Sequence, residues 1–209
     1  MKLAIVANEQ LKEEFLATGT AADCTINWLD TTAQIPPTAD VVIDLLFDQN
    51  RYDVSYLKSH LPKPVIVNSV NKTIAEIGLP FIRINSWPGF LQRNIAELAC
   101  GNETDKKETE RILLLLNRKA EWVPDVSGFI SARIVSMIIN EAYFALEENV
   151  SSKEEIDTAM KLGTNYPYGP FEWGKKIGLK NISDLLTELS KTETRYQPSN
   201  LLLNEATEK

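Results

Sequence analysis

Glycine is scarce, nine in 209 residues, and none occurs before Gly19. The strand signal at Leu3 to Val6 therefore runs into Ala7-Asn8-Glu9-Gln10 without the glycine-rich turn that lets backbone approach a diphosphate. Histidine occurs once, as His60, so a mechanism needing an imidazole base has a single residue to draw on. Its setting, Lys58-Ser59-His60-Leu61-Pro62, precedes a strand, whereas ligands of parallel sheets collect at the opposite strand ends. Two cysteines, Cys24 and Cys100, cannot make a disulfide framework and supply no zinc-ligand cluster, so no metal is expected. Both fall in strand signals and read as buried, inert thiols of a reducing cytoplasm. No apolar run approaches the roughly 18 residues of a membrane span. The opening Met1 to Ala7 meets polar residues too soon for a signal-peptide core, so no export is expected. Lys plus Arg number 22 against 29 Asp plus Glu, and the resulting charge of -7 disfavours nucleic acid and anionic membrane surfaces as partners.

What remains is ordinary for a soluble protein: 44% hydrophobic and 24% charged residues, enough to bury a core. The first half alternates strand and helix signals. Strands are expected at Leu3–Ala7, Cys24–Leu29, Val41–Phe47, Pro64–Asn68, Phe81–Ile84, Ile95–Cys100 and Ala120–Val123. Helices are expected at Glu9–Ala17, Tyr52–Ser59, Lys72–Ile77 and Asp105–Asn117, with a loop over Thr31–Thr38. The alternation predicts an α/β fold, a Rossmann-like doubly wound and mainly parallel sheet. After Pro124 the signals turn purely helical, which predicts domains at 1–123 and 124–209, the second all-helical. Phe129 to Glu148 is apolar at nearly every angle and is expected to be buried on most sides. Gly163 is expected to close the next helix in a left-handed conformation, and Gly169-Pro170 to open the one after.

From Val123 to Leu179 a specific pattern runs in order: Val126-Ser127-Gly128-Phe129-Ile130, Asn140-Glu141-Ala142, Leu146-Glu147-Glu148-Asn149, Ala159-Met160-Lys161-Leu162-Gly163 and Pro167-Tyr168-Gly169-Pro170-Phe171-Glu172. This resembles the C-terminal domain of the 3-hydroxyacyl-CoA dehydrogenase family. Asp40-Val41-Val42-Ile43-Asp44 to Asp48, Val65-Ile66-Val67-Asn68-Ser69, and Glu97 before Leu98-Ala99-Cys100-Gly101 resemble strands of the family's N-terminal domain. The resemblance implies NAD as cofactor, fatty-acid metabolism as setting, and a homodimer through the C-terminal helices.

Carried over residue by residue, the resemblance makes Glu97 the catalytic carboxylate, Asn68, Ser69 and Asn85 substrate-binding residues, and Asp30 the cofactor's ribose-binding acid. It also shows departures. The family's three fingerprint glycines fall on Ala7, Glu9 and Lys12, with Glu13 and Glu14 adding negative charge nearby. Its catalytic histidine falls on Ile82, its substrate-binding serine on Val70 or Asn71, and its substrate-contacting asparagine on Ala132. Glu97 aligns only with a few extra residues around Trp87 to Arg93. A family architecture without efficient hydride transfer is therefore expected, and no cofactor with it; NAD enters only if the family activity survives in an altered site of Glu97, Asn68, Ser69 and Asn85. A third reading has Trp87, Arg93 and Arg83 binding a small acidic ligand in the same cleft, with Ser86 to Phe90 as contact loop or as a hairpin covering the sheet.

Overall fold

Aliphatic runs such as Leu3-Ala4-Ile5-Val6 and Val41-Val42-Ile43 suit strands covered on both faces, and they form the centre of the sheet. The structure, a computed structural model, describes every residue except Ala22, Arg51 and Lys209. Two compact units divide it, Met1–Phe129 and Ile130–Lys209. The first contains β1 (Lys2–Val6), α1 (Glu9–Leu16), β2 (Thr25–Leu29), β3 (Val41–Asp44), β4 (Val65–Asn68), α2 (Ile74–Ile77), β5 (Ile82–Ile84), β6 (Ile95–Ala99), α3 (Glu103–Leu115) and β7 (Lys119–Trp122). The strand order is β2-β1-β3-β4-β5-β6-β7. The first five strands are parallel; β6 runs antiparallel to β5, and β7 is parallel to β6.

Each face of the sheet has its own core. Leu3, Ile5, Ile43, Ile66, Ile84 and Leu98 pack with Leu11 and Phe15 of α1 and Ile112 and Leu113 of α3. On the other face Ala4, Val6, Val42, Val65 and Val67 meet Phe47, Leu57 and Phe81. The helix expected over Tyr52–Ser59 is absent; only a short 3₁₀ turn forms, at Lys58–His60. Tyr52 sits at φ 59, and Asp53 Oδ1 accepts the Ser55 N–H at 2.9 Å, so a side-chain turn outcompetes the helix. Neither cysteine lies in a strand. Cys24 precedes β2 and Cys100 follows β6, both half-buried and free, with burial pushing each thiol up.

The second unit contains α4 (Ser131–Glu147), α5 (Lys153–Thr164), α6 (Pro170–Ile177), α7 (Leu179–Ser190) and α8 (Asn200–Thr207). The unit begins six residues beyond the expected boundary. In α4 one stripe is buried, Ala132, Ser136, Ile139, Asn140 and Tyr143 among it, while Ile130 and Ile134 are 49% and 54% exposed. The expectation of burial on most sides is corrected: only one face of α4 packs within the unit. Gly163 stays inside α5, and Asn165, at φ 54, closes it instead; asparagine tolerates the left-handed region almost as glycine does. Gly169 has a steric role. The Asp157 carboxylate accepts from Phe171 N–H at 2.8 Å and Glu172 N–H at 3.2 Å, capping α6 from another helix. A Cβ on Gly169 would lie 2.3 Å from Asp157 Oδ1.

Candidate functional site

Ligands of open α/β sheets collect at the carboxyl ends of the parallel strands. Beyond the end of β5 the ladder continues by one residue, Asn85 N–H donating to the Glu97 carbonyl at 3.0 Å. The same register aims the Asn85 amide at the Glu97 side chain, where Nδ2 donates to Oε2 at 2.9 Å. Asn85 Oδ1 lies 3.4 Å from the Trp87 N–H, and the neighbouring Ser86 N–H donates to Asn68 Oδ1 at 3.1 Å. Glu97 in the middle of β6, Asn85 just past β5 and Asn68 at the end of β4 are thus linked, all buried. Ser69 is turned away: its hydroxyl donates to the Lys72 carbonyl at 2.8 Å, and its own carbonyl accepts from Arg83 Nε at 2.9 Å. Asp30 stands apart at the exposed end of the edge strand β2, with β1 between β2 and β3.

The Ile82 side chain lies in the core between the sheet and α1 and α3. Asn85 is the residue that meets Glu97. A carboxamide can donate to a carboxylate as an imidazole N–H does, but it exchanges no proton near neutral pH. The pair can therefore orient a group and cannot act as a base relay through residue 85. Ala132 is buried in α4 of the second unit.

The third reading loses two of its three contacts. Arg83 is completely buried; Nη1 meets Asp125, Nη2 donates to the Val70 carbonyl at 3.1 Å, and the Phe129 ring lies 4.6 Å from the guanidinium. Trp87 is 2% exposed. The loop that carries it is held down by Gly89 N–H donating to the buried Glu14 Oε2 at 2.6 Å. Close internal partners satisfy these side chains, so neither is a ligand contact. Arg93 lines a cavity of about 640 Å³ together with Glu97.

Two acids in the same region carry signals that the sequence reading quoted without giving them a role. Asp44, at the end of β3, is fully buried; Oδ1 accepts the Leu46 N–H at 2.9 Å, while Oδ2 has no partner. Burial pushes its carboxyl up to about 7. Asp48 accepts the Val70 N–H at 3.3 Å and bonds the Trp87 side chain. Burial pushes it up to about 7 as well, Arg83 opposing and Asp44 adding to the shift. The Val70 backbone thus serves the fold's own polar network, its N–H on Asp48 and its carbonyl on Arg83, while Asn71 Oδ1 is buried without a partner among the described residues. An acid ending an otherwise apolar strand was the available signal.

At the β1–α1 turn Asn8 Oδ1 accepts the Leu11 N–H at 2.9 Å and caps α1. Glu9, largely exposed in the first turn, lies 3.8 Å from Lys12. Ala7 N–H is occupied by the Leu29 carbonyl at 3.1 Å. His60 is buried, with Nε2 3.2 Å from the Ala39 carbonyl, and burial pulls its pKa down.

Residues 128–208 match the family model described as 3-hydroxyacyl-CoA dehydrogenase, C-terminal domain. The chain is 48% identical over 132 residues to 3-hydroxyadipyl-CoA dehydrogenase of Escherichia coli (strain K12), covering 61% of this chain and 27% of that protein. It is 34% identical over 140 residues to 3-hydroxybutyryl-CoA dehydrogenase of Clostridioides difficile, covering 64% of this chain and 48% of the relative. The matched region therefore spans about half, or less, of these relatives' length. The crystal structure of (S)-3-hydroxybutyryl-CoA dehydrogenase from Ralstonia eutropha superposes with a TM-score of 0.72 over 97% of this chain and 92% of that one. At 21% identity that likeness speaks for the fold. No helix among the described residues is long and apolar enough to cross a membrane.

Proposed function

The chain belongs to the 3-hydroxyacyl-CoA dehydrogenase family, and on that premise we propose that it keeps the family architecture while hydride transfer to or from NAD is lost or severely weakened. The observation that carries this reading is the Asn85–Glu97 contact at 2.9 Å, an amide facing the carboxylate where the family's chemistry needs an imidazole. A positioned base contributes on the order of 10²–10⁴ in rate, and this pair supplies none. The β1–α1 turn points the same way. A diphosphate bridge needs bare backbone N–H groups and close approach; here Asn8 uses one of those donors and Glu9 adds a negative charge. The residues present do not fit the diphosphate of NAD. On this reading the protein acts as a binding or interaction member of the family, in the cytoplasm. It forms a homodimer through the apolar face of α4 that carries Ile134, together with Ile130 just before the helix.

Calorimetric titration with NADH tests the proposal, alongside turnover of an acetoacetyl-CoA-type substrate. No saturable heat at millimolar NADH and no turnover are expected; saturable binding with turnover would overturn the reading. The second reading, a working NAD-dependent oxidoreductase, draws on the linkage of Glu97, Asn85 and Asn68 around the ends of β4 and β5. It requires that outcome, together with loss of turnover in Glu97→Gln.

A further inference from the structure

The connections β2–β3 and β3–β4 of the first unit enclose a cavity of about 390 Å³. Most of its wall is apolar: Ile35 and Pro37 from the first connection, Leu61, Pro62 and the Tyr56 ring from the second. Among the described residues the lining holds no carboxylate. Its nitrogen groups are His60, which ends the short 3₁₀ turn, and Lys63, which follows shortly before β4. An apolar cavity of this size with a few polar groups is the common form of a small-molecule site.

One contact fixes the state of the imidazole. His60 Nε2 lies 3.2 Å from the Ala39 carbonyl oxygen. A carbonyl only accepts, so Nε2 carries the hydrogen, and in the neutral ring Nδ1 holds a bare lone pair. Burial, and then the charge of Lys63, pull the His60 pKa below its ordinary value, so the ring is neutral above pH 7. Nδ1 has no partner among the described residues and yet is not sealed in the interior; it is reached from the cavity that His60 lines. Beside it, Lys63 Nζ donates to the Pro37 carbonyl at 3.1 Å and to the same Ala39 carbonyl at 2.7 Å. Two of its three N–H groups are thus used, and no carboxylate among the described residues cancels its charge. An acceptor nitrogen and an ammonium therefore stand side by side on one carbonyl oxygen.

We propose that this cavity binds a small hydroxylated aromatic carboxylate, its ring against the prolines, Leu61 and Tyr56, its hydroxyl donating to His60 Nδ1, and its carboxylate beside Lys63. A ligand without a donor leaves the Nδ1 lone pair unsatisfied, the kind of loss by which a site built for a hydroxyl rejects the analogue lacking it. A carboxylate set on Nδ1 would meet lone pair with lone pair, which turns the anion toward the lysine. A flat ring suits the proline and tyrosine surfaces and removes apolar area from water. The site lies in the connections that precede β4, uses none of Glu97, Asn85 and Asn68, and is independent of whether a nucleotide binds.

Because the chain has a single histidine, nitrogen NMR of the whole untagged protein above pH 7, without nucleotide, reads the ring of His60 alone. The free chain is expected to show the neutral tautomer with hydrogen on Nε2. The three positional isomers of hydroxybenzoate serve as ligands with increasing separation of hydroxyl and carboxylate; benzoate and phenol each carry one of the two groups. At least one hydroxybenzoate is expected to shift the Nδ1 resonance saturably and to bind at least about tenfold tighter than benzoate or phenol. Lys63→Gln, on an exposed side chain whose amide can still donate to the two carbonyls, should weaken it about fivefold, with a melting temperature near that of the parent chain. Hydrogen on Nδ1 in the free chain, no saturable shift of the His60 nitrogens with any isomer at millimolar concentration, benzoate or phenol binding as well as the best isomer, or affinity unchanged in Lys63→Gln would each overturn the proposal. Because NADH is absent throughout, failure here leaves the redox reading untouched, and a positive NADH titration leaves this one standing.

Discussion

Replacing Asp44→Asn isolates the energetic consequence of a carboxyl sealed at the end of a parallel strand. The substitution keeps Oδ1 as acceptor for the Leu46 N–H and exchanges the unpartnered Oδ2 for an amide nitrogen of nearly the same size. Moving the carboxyl from 3.8 to about 7 by burial corresponds to about 4 kcal/mol against the charged form, at about 1.4 kcal/mol per pH unit. Between those two values the folded chain holds a proton that the unfolded chain has released. Stability from Asp44 is therefore complete below pH 3.8, declines as pH rises, and is gone above about 7. Asp48 is raised in part by Asp44, so the two release their protons as a pair. Amide hydrogen exchange in β1, β3 and β4 reads this unit's own opening free energy without assuming one transition for both units. The parent chain should lose protection from pH 5 to 8. Asp44→Asn should match it within about 1 kcal/mol near pH 4 and exceed it by up to about 4 kcal/mol at pH 8. Flat protection in the parent across that range, or the same slope in the variant, refutes the argument.

Arg83→Met strips the partner from Asp125 and from three backbone carbonyls while preserving stem volume; a loss of about 3–5 kcal/mol is expected in urea melts, since a buried pair is broken on one side. Gly169→Ala sets a methyl against the Asp157 carboxylate that caps α6 and should cost roughly 1–3 kcal/mol, read as a lowered melting temperature. If the proposed homodimer forms, Ile134→Glu, on the half-exposed face of α4, should leave the fold intact and weaken self-association by about a hundredfold or more in sedimentation equilibrium; a monomeric parent chain or an unchanged oligomer refutes that interface.

Much of the first unit was legible because covered parallel strands carry a direct signature. Val41-Val42-Ile43 and Val65-Ile66-Val67 have no polar alternation and no competing turn residues. The segment Tyr52–Ser59 misled because its periodicity is helical while Asp53 offers the backbone a turn, a contest decided by one side-chain hydrogen bond. Burial around α4 misled differently. Apolar residues at every angle record what a face can bury, not what the same unit places against it. For the site, residue types were legible but pairing was not. Glu97 and Asn85 were both singled out, yet their contact depends on an antiparallel register that a strand of three residues barely specifies. Asp44 read as an acid inside the expected strand Val41–Phe47, and only the packing around it pushes its carboxyl up to about 7.

The Asn85–Glu97 pair also shows what the fold itself asks of position 85. Glu97 is 7% exposed, and a buried carboxylate without a donor costs more than the bond it loses. An apolar side chain at position 85 would leave Oε2 facing hydrocarbon, whereas a carboxamide supplies the missing N–H at 2.9 Å. The same donor continues a connected row, Asn85 Oδ1 reaching the Trp87 N–H and Asn68 Oδ1 the Ser86 N–H, so the strand ends stay fixed relative to one another. Structural demand and catalytic demand therefore separate at this position: the first asks only for a hydrogen-bond donor, the second for a group that gives up a proton and takes it back.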